Sequence, residues 1–158
     1  MVDQSGSMDL DPGALDHLLA ATPGATVVGY SHRPGDMPGR ANAWVIAREG
    51  RTARELPGGN VGNGVDGPVL RWAQRIRRAH ERVIWVTDGQ VTDSNDHPSE
   101  ALSRECAHLV RTHRIVLVRS LEEATRVLRG RTHALEPVEN FGRVGRELRR
   151  ISTVTATG

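Results

Sequence analysis

The 158-residue chain contains no lysine, a single cysteine, one tyrosine, one phenylalanine and three tryptophans. Without lysine it cannot carry a phosphate-binding P-loop, which needs that ammonium group, or any Schiff-base chemistry. One cysteine, Cys106, excludes an internal disulfide and suits a reducing compartment. No apolar run approaches the ~18 residues of a membrane helix, and the N-terminus lacks the basic and apolar regions of a signal peptide. These absences predict a cytoplasmic protein with no membrane association.

What is present fits one globular domain spanning residues 1–158, with 37% hydrophobic and 25% charged residues. The pI of 9.4 suggests nucleic acid at first sight, but 21 basic against 19 acidic residues give a net charge of only +2. All the basic residues are arginine, so few groups titrate above neutrality and a small positive charge persists to high pH. The pI is therefore a weak argument for nucleic-acid binding.

Along the chain, strand and helix patterns alternate. Helices are expected at 14–21, from Pro68 to about His80, at 99–113 and at 121–128, with a last basic helix at 140–151 before a frayed tail at 152–158. Strands are expected at 26–32, 42–48, 82–87 and 114–118, the last two as apolar runs buried on both faces. The alternation predicts an α/β fold with a doubly wound, Rossmann-like, mostly parallel sheet and helices on both sides. In such folds ligands bind beyond the carboxyl ends of the strands.

Three segments place oxygen-bearing side chains at such ends: Asp3-Gln4-Ser5-Gly6-Ser7-Met8, Gly58-Gly59-Asn60 and Thr87-Asp88-Gly89. Asp3, Ser5, Ser7, Asn60 and Asp88 together offer two carboxylates and neutral oxygens, the donor chemistry of Mg²⁺ or another hard divalent cation such as Mn²⁺ or Ca²⁺. Taken singly, Asp3, Ser5 and Ser7 read better as helix caps or turn formers, and only jointly with Asp88 do they point to a cation.

The same segments, in this order, resemble the metal-ion-dependent adhesion site of the von Willebrand factor A domain family. Asp3, Ser5 and Ser7 match its Asp-x-Ser-x-Ser motif, Asp88 matches the Asp after its fourth strand, and Gly29-Tyr30-Ser31 resembles the end of its second strand. The resemblance implies a non-enzymatic domain in which the cation leaves one position for an Asp or Glu carboxylate of a protein partner. An AAA+ ATPase or another subunit of a bacterial complex is the kind of partner it suggests. Two departures stand out. Asn60 occupies the place of the family's Thr, and only Met1 and Val2 precede Asp3 where the family has a buried strand of several apolar residues. The second departure predicts that this is an N-terminally truncated piece of a longer chain or a misassigned start.

Other readings compete. Gly62, Gly64 and Gly67 spell the dinucleotide fingerprint G-x-G-x-x-G, and Asp88 stands 21 residues beyond Gly67 at the end of a strand, as a ribose-binding acid of an NAD site would. The preceding Arg51 to Pro57 is a poor buried strand, however, which such a fingerprint requires. Arg71, Arg75 and Arg78, with Arg143, Arg146, Arg149 and Arg150, could mark a nucleic-acid-associated face, although a solvated helix explains them equally. Cys106, His108 and His113 match no standard zinc spacing.

Overall fold

The computed structural model describes residues 1–5, 8, 11–31, 42–53, 65–93 and 97–130. Among them run β1 (Val2–Asp3), α1 (Pro12–Ala21), β2 (Val27–Tyr30), β3 (Ala43–Arg48), β4 (Arg51–Thr52), α2 (Asp66–Ile76), β5 (Ile84–Val86), α3 (Glu100–His113), β6 (Val116–Val118) and α4 (Leu121–Leu128). The strands form one mixed sheet in the order β4-β3-β2-β1-β5-β6. Its centre is parallel, with β1 pairing β2 and β5, and β5 pairing β6. β3 and β4 add an antiparallel margin. The architecture is thus a mostly parallel α/β sheet with helices on both faces. No helix among the described residues is long and apolar enough to cross a membrane.

Local chemistry explains where the helices begin. Asp11 caps α1 by accepting from the Gly13 and Ala14 amides, so the helix starts at Pro12, two residues before the expected Ala14. Proline suits that first position because its missing N–H would have had no partner inside the helix. α2 starts at Asp66 rather than at the expected Pro68. Proline as the third helical residue is still tolerated, because that amide also precedes the first intrahelical bond. Ser99 and Ser120 cap α3 and α4 through their hydroxyls, and both helices match the sequence reading closely. The expected helix at 140–151 and the tail at 152–158 lie outside the described residues.

The strands are shorter than the apolar runs that announced them, although run-end residues still bond across the sheet, as Thr87 N–H does to Val118 O and Val116 N–H to Val83 O, both at 3.0 Å. Glu49 and Gly50, both at positive φ, turn β3 into the exposed two-residue β4. β1 is also two residues long, yet it is central. Gln4 N–H donates to Tyr30 O at 2.9 Å, Val86 N–H donates to Met1 O at 2.8 Å, and the Met1 amino group donates to Ile84 O at 2.8 Å. The ladder thus continues on both sides of β1.

Two apolar layers flank the sheet. Leu15, Leu18 and Leu19 of α1 meet Val2, Val86, Val118 and α4 residues Leu121 and Ala124 on one face. Tyr30 and Trp85 pack with Val69 and Leu70 of α2 and Cys106, Leu109 and Val110 of α3 on the other. Each fully buried side chain of this size contributes roughly 1.5–3 kcal/mol. Cys106 lies in this second layer, and burial pushes its thiol pKa up, so it behaves as a small apolar residue.

Candidate functional site

The chain runs from β1 to β2, β3 and β4 on one side of the sheet and then crosses to β5 and β6 on the other. The strand order therefore reverses between β1 and β5. Connections leaving such a pair diverge to opposite sides and open a crevice at the carboxyl ends, the usual place for a ligand in an open α/β sheet. Asp3 is the last residue of β1, and Thr87-Asp88-Gly89 follows β5 directly.

Asp3 is 3% exposed. Its Oδ1 accepts the Ser5 amide at 2.9 Å and its Oδ2 accepts the Thr87 hydroxyl at 3.4 Å. Burial pushes the Asp3 pKa up to about 6, and the neighbouring Asp88 charge adds to the rise, while the Ser5 and Thr87 hydrogen bonds oppose it. Ser5 is buried beside Asp3. At the other strand end, the Thr87 hydroxyl accepts the Gly89 amide at 3.2 Å, and Gly89 has a φ of 80° that closes the turn. Asp88 Oδ1 accepts the Gln90 amide at 2.8 Å. Its Oδ2 is sealed from solvent and has no hydrogen-bond partner among the described residues. A buried carboxylate oxygen without a hydrogen-bond donor is unfavourable, so this atom is suited to meet a cation or a water.

Of the five residues expected to hold a cation, the fold brings Asp3, Ser5 and Asp88 to one end of two adjacent strands. Ser7 and Asn60 lie outside the described residues. The donors that are described, two carboxylates and a hydroxyl, suit a hard cation. Among the described residues no group of three or more His, Cys, Asp or Glu side chains is arranged to chelate a metal. Asp11 and Asp93 act as a cap and a turn former, the latter accepting the His97 amide at 2.9 Å.

One group was not singled out from the sequence. Asp66, which falls between the second and third glycines of the G-x-G-x-x-G pattern, is 2% exposed at the first turn of α2. Its Oδ1 accepts the Tyr30 hydroxyl at 2.6 Å, and that hydroxyl in turn accepts Trp85 Nε1–H at 2.7 Å. Burial raises the Asp66 pKa well above the usual carboxylate range, and the charges of Asp3 and Asp88 raise it further. The available signal was Val65, a residue that cannot cap, followed by an acid that favours a helix N-terminus. Burial of that acid beneath Tyr30 has no local sequence signature.

The competing motifs resolve differently. Gly62 and Gly64 lie outside the described residues, whereas Gly67 is inside α2, where a Cβ would come within 2.9 Å of the Glu105 carboxyl carbon. The strand ahead of this run is the exposed edge strand β4. A cleft of about 70 Å³ opens beside Asp3, lined by Asp11, Arg119 and Glu122 among others. That is far below the ~300 Å³ at which organic-ligand sites begin. Arg71 pairs with Glu105 and Arg78 with Glu81, and Arg143 to Arg150 lie outside the described residues. In comparisons with protein-family models, curated proteins and solved structures, no match was found in any of the three.

Proposed function

We propose that this chain is a divalent-cation-dependent protein-interaction domain of the von Willebrand factor A type, in which Mg²⁺ or Mn²⁺ presents an open coordination position to an Asp or Glu carboxylate of a partner protein. The observation that carries the reading is the meeting of Asp3 and Asp88 at the reversal of strand order, with Asp88 Oδ2 buried and unpartnered among the described residues. A parallel centre with an antiparallel margin beside β2 agrees with it.

Asp88 Oδ2 and the Ser5 and Ser7 hydroxyls would contact the cation, with Asn60 as a further contact. Asp3, whose oxygens already accept from Ser5 and Thr87, would supply charge directly or through a bound water. The cation would supply Lewis acidity toward an incoming carboxylate. Because the partner carboxylate would complete the cation's coordination shell, cation and partner affinities are thermodynamically coupled. No nucleophile-and-base pair is part of this reading, and the domain is proposed to act by binding alone. An AAA+ ATPase remains the partner class suggested by the resemblance.

The test is thermal unfolding in EDTA against excess Mg²⁺ or Mn²⁺, for the parent, Ser7→Ala and Asp88→Asn. Cation at 100 times its Kd stabilises by ~2.7 kcal/mol, worth roughly 5–10 °C in a domain of this size. The parent is expected to gain this shift, and both variants to lose most of it while keeping their EDTA midpoints. An unresponsive parent would remove the cation from the reading.

A further inference from the structure

Asp66 lies on the side of the sheet from which the Asp3 side chain projects. Asp3 and Tyr30 are register partners on adjacent parallel strands, so their side chains leave the same face of the sheet. Trp85 leaves that face from β5, two residues before Thr87, whose hydroxyl reaches Asp3. Tyr30 and Trp85 together carry a hydrogen-bonded chain from the sheet to the Asp66 carboxyl at the start of α2. Among the described residues no basic side chain pairs with Asp66.

A buried acid with two acidic neighbours and no basic partner is costly to fold around. Tyr30 could be satisfied by a neutral acceptor, as an amide oxygen would serve equally well. A carboxyl in this place therefore needs a reason beyond the hydrogen bond.

We infer that Asp66 is a third acidic group of the proposed cation site, acting on the cation by its negative charge from behind Asp3 rather than as a direct ligand. This rests on the cation reading above. It is consistent with the negative charges of Asp3 and Asp88 reaching Asp66 and raising its pKa further. In this arrangement the metal-free fold favours the neutral acid, and a bound dication favours its charged form. Supporting groups behind metal ligands typically alter affinity by about 10–100-fold when removed.

The experiment measures Mn²⁺ affinity by titration calorimetry and the unfolding midpoint in EDTA for the parent, Asp66→Asn and Tyr30→Phe. Asparagine keeps the acceptor for Tyr30 and removes only the charge. The expected result for Asp66→Asn is a Kd at least ~10-fold weaker together with an EDTA midpoint equal to or above the parent's. These opposite signs separate a charge role from a structural one, which would lower both. Tyr30→Phe keeps the charge and is expected to lower the EDTA midpoint while changing the Kd less than Asp66→Asn does. Unchanged Mn²⁺ affinity in Asp66→Asn, with the parent binding, would overturn the role of Asp66 alone. A loss of affinity that tracks the loss of stability across both variants would overturn it in favour of a structural role. A parent that binds no Mn²⁺ would overturn the cation reading and this inference with it.

Discussion

Replacing Tyr30 with Phe removes one oxygen atom and leaves the ring in place. That oxygen sits at the middle of a buried chain, donating to Asp66 Oδ1 at 2.6 Å and accepting Trp85 Nε1–H at 2.7 Å. Tyr30 and Trp85 are both 0% exposed and Asp66 is 2% exposed, so water cannot replace either bond without opening the layer between the sheet and α2. Losing a buried bond and stranding its partner costs roughly 1–3 kcal/mol. Trp85 retains a further interaction, which puts its share at the low end. The total is about 2–4 kcal/mol, and at roughly 2–4 °C per kcal/mol the midpoint should fall by on the order of 10 °C. Thermal unfolding in EDTA at pH 7, followed by tryptophan fluorescence and far-ultraviolet circular dichroism together, measures it. A fall below about 2 °C would refute the claim that this chain ties α2 to the sheet.

Two further predictions concern pH and packing. The folded state holds a proton on Asp66 that the unfolded chain has released above its ordinary value of 3.8. The associated stability is thus complete below that value and is lost as pH rises toward the folded pKa, by at most ~1.4 kcal/mol per pH unit. In EDTA, Asp66→Asn should therefore become increasingly more stable than the parent from pH 4 upward; a pH-independent difference would contradict the shift. The Met1 amino group, pushed down to about 5 by burial, works in the opposite direction but is common to both proteins and cancels in the difference. Gly29→Ala would place a methyl 2.8 Å from Ile46 Cδ1 and 3.0 Å from Trp44 Nε1. Chemical denaturation should show a loss of about 1–3 kcal/mol, and a neutral result would mean that β3 yields freely.

The regular elements were legible because their signals are local. The apolar run at Arg82 to Thr87 and the helical pattern at 121–128 each point to one conformation without reference to the rest of the chain. Element ends were less legible, since Asp66 and Pro12 enter their helices through capping and amide bookkeeping that the periodicity of apolar residues does not report. For the candidate site, Asp3, Ser5 and Asp88 were found as strand-end oxygens, and the alternation of strand and helix was enough to expect them near one crevice.

Residue types alone determined that chemistry requiring lysine or an internal disulfide is excluded, that charge gives no broad electrostatic footprint, and that oxygen donors dominate the candidate site. The tertiary structure alone decided that the strand order reverses between β1 and β5, because the order of strands in a sheet depends on crossovers between segments far apart in the chain. It also decided that Asp66 is buried beneath a tyrosine 36 residues away. A carboxylate looks the same in sequence whether it faces solvent or a neighbouring acid. Only the packing of α2 on the sheet removes its water and gives its charge a consequence.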